Sequence, residues 1–404
     1  MSEAPRRIAY VDHAEDLGGA EKSLVEFTRR LDRDRYYPLL LHTRGAQWLR
    51  SEDCAHLEKI AVFSPGGVLD RRRTAVGSKL LTTMRDLYAS AGPVYRVLRG
   101  LRRHRAELVH TNTLKAHLFG GLAARLAHLP LIWHVRDLLD EREGLPLLRH
   151  AASAFQPRII AISEAVAAQF EGLRVQVDVI PNGIPLESFT PGAPSAELRA
   201  HCNLSSAQEV IACVGRLTPW KGHRTLLRAF ATVAAQRPQA RLLVVGEVAF
   251  WADEYEQELH DLAQRLQLNG QVCWAGFRAD VPEVLRSCDL LVLPSRNEPF
   301  GRVLIEAMAV GKAVVATNSG GAPEIVLPEE TGLLVPPNDV AALAAALLRL
   351  LEDRPLRERL AAAGQARARE FFDVRRVVAQ VQSVYQEMLG SPQESPALTR
   401  SASK

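Results

Sequence analysis

The stretch Arg296-Asn297-Glu298-Pro299-Phe300-Gly301-Arg302-Val303-Leu304-Ile305-Glu306-Ala307-Met308 lies between two legible elements. The apolar run Leu290 to Leu293, closed by Pro294-Ser295, reads as a buried strand. A helical pattern then runs to Gly311. A strand–loop–helix unit of this kind belongs in an open α/β sheet, where ligands bind outside the carboxyl ends of the strands. The helix start offers unpaired N–H groups and a positive dipole end to an anion. Glu298 and Glu306 bracket that start. Eight helical steps would part their Cα atoms by roughly 12 Å, too far for a proton-sharing dyad. The spacing suits the two ends of one extended ligand with an anion in its middle. A sugar–diphosphate–nucleoside has that shape.

Working outward, strands alternate with helices along the whole chain, which predicts parallel, doubly wound sheets. Strands are expected at 7–11, 37–41, 59–63, 107–110, 130–134, 158–162 and 175–180, then at 209–214, 241–246, 271–274, 289–293, 313–316 and 333–336. The Pro/Gly-rich segment 181–194 separates two runs of one architecture. The expected fold class is therefore α/β: two Rossmann-like lobes facing a central cleft. The first spans 1–187 and the second 188–372; an amphipathic helix follows at 373–390, then a disordered Ser/Pro-rich tail at 391–404.

With 47% hydrophobic and 24% charged residues, the 404-residue chain reads as soluble and globular. A formal net charge of only +4 does not suggest nucleic acid as a partner. The polar start Met1 to Arg7 reads as no signal peptide, and no apolar run approaches the ~20 residues a membrane span needs. The five Cys residues (54, 202, 213, 273 and 288) form no C-x-x-C pair and are expected to be buried free thiols in a reducing compartment. The expected location is cytoplasmic. Residues 71–105 carry ten Lys/Arg against Asp86 alone, interleaved with apolar residues. Two readings stand: a pair of surface helices with snorkelling side chains, or a basic amphipathic surface for anionic lipid on the inner face of the cytoplasmic membrane.

Four further groups carry chemistry. Gly18-Gly19 follows the first strand and would let a backbone approach a diphosphate with its N–H groups free, although an ordinary turn has the same composition. Arg216 and Lys221, in Gly215-Arg216-Leu217-Thr218-Pro219-Trp220-Lys221-Gly222, flank a turn after a strand. They suit a departing diphosphate, and stabilising developing charge of that kind is worth about 2.7–4 kcal/mol per donor. His134 ends one strand beside Arg136 and Asp137; His110 and Asn112 end another. The glycines of Ser319-Gly320-Gly321-Ala322-Pro323-Glu324 would allow close packing beneath a nucleotide, with Glu324 capping the next helix. Asp32-Arg33-Asp34 matches a metal-binding D-x-D only in letters; it reads as a solvated turn, and no other cluster has metal-ligand spacing.

At these residues the chain resembles the retaining glycosyltransferases of family four, which have the GT-B fold. The resemblance rests on Gly18-Gly19-Ala20-Glu21, Ala161-Ile162-Ser163-Glu164, Ile180-Pro181-Asn182-Gly183-Ile184, Gly215-Arg216-Leu217 with Lys221-Gly222, Glu298 to Glu306, Gly320-Gly321 with Pro323-Glu324, and Thr331-Gly332-Leu333-Leu334-Val335. It implies that Glu306 binds the ribose, Glu298 contacts the transferred sugar, and amides near Gly301, Val303 and Leu304 meet the phosphates. Arg216 and Lys221 then bind the diphosphate, Gly18-Gly19 closes from the other lobe, and His134 stands beside the donor sugar. His110, Asn112 and Arg136 are expected on the acceptor side. Val245-Gly246-Glu247-Val248 departs from the pattern, since many members carry a further glycine there.

The expected activity is metal-independent transfer of a sugar, with retention, from a UDP- or GDP-sugar to a glycan or lipid-linked acceptor in cell-surface polysaccharide or glycolipid synthesis. The nucleotide sugar is a substrate and no cofactor is expected. The rival readings are a sugar-nucleotide epimerase of the same architecture and a non-catalytic nucleotide-sugar-binding protein.

Overall fold

The computed structural model describes residues 4–64, 79–139, 144–248 and 253–390. The first lobe runs β1 (Arg6–Val11), α1 (Gly19–Arg29), β2 (Tyr36–Thr43), β3 (Glu58–Phe63), α2 (Lys79–Arg103), β4 (Leu108–Thr111), α3 (Leu114–Ala127), β5 (Leu131–Val135), α4 (Leu145–Phe155), β6 (Arg158–Ala161), α5 (Glu164–Ala167) and β7 (Val177–Val179). The second runs α6 (Ala196–His201), β8 (Glu209–Val214), α7 (His223–Gln236), β9 (Ala240–Val245), α8 (Asp253–Arg265), β10 (Val272–Trp274), α9 (Val281–Arg286), β11 (Leu290–Leu293), α10 (Arg302–Val310), β12 (Ala313–Thr317), α11 (Ala322–Ile325), β13 (Leu333–Val335), α12 (Val340–Glu352) and α13 (Arg354–Phe371). The chain of described helices closes with α14 (Val374–Leu389).

Two parallel sheets result, as expected. Their strand orders are β3-β2-β1-β4-β5-β6-β7 and β10-β9-β8-β11-β12-β13. The central strands are apolar on both faces because helices cover both sides. Ile8 to Val11 and Leu290 to Leu293 are almost wholly excluded from solvent. In each sheet the order reverses at one place, between β1 and β4 and between β8 and β11. An open α/β sheet leaves its ligand crevice at such a switch point.

Helix α14 starts beside the second lobe and buries its stripe in the first. Val374, Val377, Val378, Val381, Val384 and Tyr385 recur at helical spacing and pack with Ile8, Tyr10, Leu24 and Phe27. The crossing is pinned where the Ile184 amide donates to Phe372 O at 2.9 Å and the Val374 amide donates to Ile184 O at 3.0 Å.

Two expectations change. Cys202 and Cys273 form a disulfide, with Cα atoms 5.5 Å apart, between the end of α6 and β10. Spacing along the chain hides such a pair, because 71 residues separate two cysteines that only the fold juxtaposes. Cys54, Cys213 and Cys288 are free and buried. Among the described residues the basic stretch holds one helix, α2, rather than a pair, with Pro93 taken inside it. In its described part Arg96, Arg99, Arg102 and Arg103 are exposed while Val97 and Leu101 are buried. Residues 71–78 and the tail from 391 lie outside the described residues. Among the described residues no helix is long and apolar enough to cross a membrane.

Candidate active site

Most of the residues singled out in the sequence gather at the two switch points, and His134 and Arg136 stand at the end of the neighbouring β5. Gly18 and Gly19 follow β1, and His110 and Asn112 end β4. Arg216 and Lys221 follow β8, and Glu298 follows β11. Gly18 and Arg216 meet across the lobes: Arg216 Nη2 lies 3.5 Å from where a Cβ on Gly18 would stand. The Gly18 amide is not free as expected. It donates to Glu21 Oε2 at 2.8 Å, closing the start of α1, whereas Gly19 is exposed with open space where a Cβ would be.

Lys221 Nζ pairs with Glu298 Oε2 at 2.7 Å and sits 4.3 Å from the Trp220 ring centroid. The two loops are also joined by their backbones, the Arg296 amide donating to Trp220 O at 2.7 Å. Gly301, in the left-handed region at φ +100°, turns the chain into α10. Of the three amides expected to meet phosphate, that of Leu304 is already donated to Gly301 O at 2.8 Å. At the far end, Glu306 Oε1 accepts from Arg302 Nε at 2.8 Å. Arg302 Nη1 also donates to Ser23 Oγ of α1 at 3.1 Å, so one guanidinium joins α10 to the first lobe. Lys22 stands beside the same carboxylate. Burial lowers its pKa, and the Glu306 charge partly restores it. The Arg302–Glu306 spacing of four was visible in the sequence, but its reach to Ser23 was not.

Gly320 and Gly321 pack against protein backbone rather than beneath a ligand. A Cβ on Gly320 would stand 2.1 Å from Glu298 O, and one on Gly321 2.6 Å from Pro299 O. Only glycine admits so close an approach, and it holds the loop that carries Glu298. Glu324 caps a helix, but one in the other lobe: its carboxylate accepts the Glu164 and Ala165 amides of α5 at 2.7 and 3.0 Å. Beside it Ser163 Oγ donates to Pro299 O at 2.7 Å. The two motifs at 161–164 and 320–324 are thus halves of one contact between lobes.

His134, His110, Asn112 and Arg136 are all buried and bonded to one another. Arg136 Nε donates to Asn112 Oδ1 at 2.7 Å, its Nη1 bonds Asn182, and its Nη2 stands 3.4 Å from His134 Nδ1. Burial, then the Arg136 charge, pushes both histidines well below their usual pKa, so they are neutral at pH 7. Burial likewise lowers Arg136 to about 10. Asp12, bonded to Asn112 at 2.9 Å, is raised by burial, and Glu21 is pushed up to about 8 by burial and then by the Asp12 charge. Asp12 was not singled out in the sequence, and Glu21 entered only within the Gly18-Gly19-Ala20-Glu21 motif, with no role of its own. Among the described residues no group of three or more His, Cys, Asp or Glu is placed to hold a metal ion.

Comparison with known proteins adds the following. Residues 195–367 match the family model described as glycosyl transferases group 1, and residues 17–188 match that of glycosyltransferase family 4. A Corynebacterium glutamicum GDP-mannose-dependent monoacylated alpha-(1-6)-phosphatidylinositol monomannoside mannosyltransferase is 36% identical over 196 residues, 46% of this chain and 50% of that protein. The lipopolysaccharide core biosynthesis mannosyltransferase LpsB of Rhizobium meliloti is 30% identical over 233 residues, 57% of this chain and 66% of that protein. The matches thus span about half to two thirds of these curated relatives. Crystal structures of Anabaena HepE, one with UDP and glucose and one with UDP-glucose, superpose with a TM-score of 0.79 at 30% identity, covering 94% of this chain and 99% of that one.

Proposed function

Because the chain belongs to the group 1 and family 4 glycosyltransferases of GT-B fold, we propose that it transfers a sugar from a nucleotide-diphosphate donor, UDP- or GDP-linked, to a glycan or lipid-linked acceptor. The observation that carries this reading is the meeting of Arg216 with Gly18 across the lobes, next to the Lys221–Glu298 pair and the start of α10. That line of groups matches the donor in order: sugar at Glu298, diphosphate at Arg216, Lys221 and the Gly301 and Val303 amides, ribose at Glu306.

In the proposed reaction the bond from the anomeric carbon to the diphosphate breaks. Arg216, Lys221 and the α10 amides take up the charge developing on the leaving oxygen. The acceptor hydroxyl attacks from the same face, so configuration is retained, and a diphosphate oxygen takes its proton. The two cations supply the counter-charge without a metal ion. His134, neutral and adjacent to Arg136, hydrogen-bonds the donor sugar. Closure of the lobes keeps water from competing with the acceptor. Both UDP- and GDP-sugars occur among the relatives' names, as do glycolipid products. A lipid-linked acceptor accords with the exposed arginines of α2, which suit peripheral contact with an anionic membrane on its cytoplasmic face.

A thermal-shift screen with UDP-, GDP- and ADP-sugars, then transfer assays with the stabilising donor, tests the reading. The product should keep the donor's anomeric configuration and form in EDTA. No stabilisation by any nucleotide sugar would sink the proposal. Conversion of the donor without acceptor into a different sugar nucleotide would establish the epimerase instead.

A further inference from the structure

Three buried hydrogen bonds run in a line from Tyr10 of β1 through Tyr385 of α14 to the cleft histidine, and a fourth meets that histidine from the other side. Tyr10 and Tyr385 hydroxyls stand 2.9 Å apart, Tyr385 OH lies 2.6 Å from His110 Nδ1, and His110 Nε2 lies 3.2 Å from His134 Nδ1. The fourth is the approach of Arg136 Nη2 to that same His134 Nδ1, at 3.4 Å.

The direction of every proton in the line follows from the guanidinium. Arginine has donors only. His134 Nδ1 must therefore accept, and the ring proton of this neutral imidazole sits on Nε2. His110 Nε2 faces the same accepting nitrogen and donates to it, so that this nitrogen's single lone pair is shared with the more distant guanidinium in a three-centre contact. That leaves His110 Nδ1 as an acceptor, and Tyr385 must donate to it. The Tyr385 oxygen then accepts from Tyr10. The line has one sense, Tyr10 to Tyr385 to His110 to His134. Among the described residues no hydrogen bond takes up His134 Nε2.

We propose that Tyr385 is a positioning residue for sugar transfer: by donating to His110 it reinforces, from the far end of the line, the sense that Arg136 imposes at the near end, and the two together hold His134 as the Nε2–H tautomer, a fixed neutral donor to a hydroxyl of the bound sugar. The inference rests on the reading of His134 as the histidine beside the donor sugar. Tyr385 arrives on α14, the helix that leaves the second lobe, so a residue that follows that lobe in the chain supports the hydrogen-bonding sense of a residue in the first. Its ring is wedged among Tyr36, Phe27 and His110, with centroids 5.5 to 6.4 Å away, which fixes where the hydroxyl points. Tyr385→Phe keeps that packing and deletes only the relay.

The test is long-range proton–nitrogen NMR on a chain labelled with ¹⁵N-histidine, with His110 and His134 assigned by single replacement with Asn. In the unaltered chain both should appear neutral with the proton on Nε2. In Tyr385→Phe, His110 should shift toward a mixture of tautomers and the His134 nitrogens should move with it. Turnover should fall about tenfold, ~1.4 kcal/mol, with nucleotide affinity unchanged. An imidazolium or an Nδ1–H signal at His134 in the unaltered chain would overturn the proposal, as would a Tyr385→Phe spectrum identical to the parent's. The tautomer is read without substrate, so the spectrum decides the relay even where no nucleotide sugar is turned over, and that failure would count against the sugar-transfer reading alone.

Discussion

Lys221 Nζ and Glu298 Oε2 stand 2.7 Å apart although 77 positions separate them in the chain. The two groups read as gripping different parts of one donor are in contact with each other. A diphosphate approaching Lys221 therefore competes with the Glu298 carboxylate for one ammonium. Removing the charge of Glu298 should release that competition. Glu298→Gln is expected to bind UDP or GDP about fivefold more tightly, worth ~1 kcal/mol, while turning over more slowly. Lys221→Ala should lose 10²–10³ in turnover, on the order of one transition-state donor. Calorimetry with the nucleotide and steady-state rates check both; a Lys221→Ala enzyme with near-normal turnover would remove its assigned role.

Arg302 gives the proposed ribose end of the site a similar dependence. It holds Glu306 through Nε and reaches Ser23 of the first lobe through Nη1. Arg302→Met keeps the apolar stem and cuts both bonds. The expected result is a donor KM raised about tenfold with kcat within about threefold, because the bond lost serves binding rather than charge development. An unchanged KM would show that Glu306 is oriented without Arg302.

Glu21 supplies a pH dependence. Its carboxyl is pushed up to about 8 in the folded chain from an ordinary 4.5, first by burial and then by the Asp12 charge. The folded state thus binds more protons than the unfolded state between roughly pH 4.5 and 8, and stability falls as pH rises through that window. Glu21→Gln cannot ionise and should lack this slope. Denaturation curves of the two proteins at pH 5, 6.5 and 8 should diverge in favour of the variant; parallel curves would mean the carboxyl ionises freely in the fold.

The Cys202–Cys273 bond closes a loop of 71 residues. A bridge of that span typically adds about 2–4 kcal/mol by restricting the unfolded chain. The chain unfolded without reductant should show three reactive thiols, and the reduced chain five. Reduction, or the change Cys202→Ser, should lower the melting temperature. Five thiols in the unreduced protein would disprove the bridge.

What was legible in the sequence was whatever is local. The alternation of strand and helix predicted both sheets, and the candidate residues fall in the loops that follow β1, β8 and β11, as their sequence context indicated. Glu21 and Arg302 were also locally visible, at spacings of three and four from their partners, but only burial and the opposite lobe make them matter. The contacts that escaped join distant positions: Lys221 to Glu298, Tyr385 to His110, Cys202 to Cys273. Glu324 was read as a cap for its own next helix because a carboxylate near a helix start is a local signal. The fold instead aims it at the amides of α5, which no spacing announces.

The placement of Val374 to Tyr385 against Ile8, Tyr10 and Leu24 has a consequence for biosynthesis. A ribosome delivers roughly 5–20 residues each second. The first lobe's apolar face therefore waits on the order of 20–70 s for the helix that covers it. During that interval the later lobe can assemble completely, while the earlier one stays uncapped and open to chaperones or to mispairing with a neighbouring nascent chain. The order of synthesis and the order of completion are opposite, so a stop shortly before residue 374 would injure the half of the protein made first.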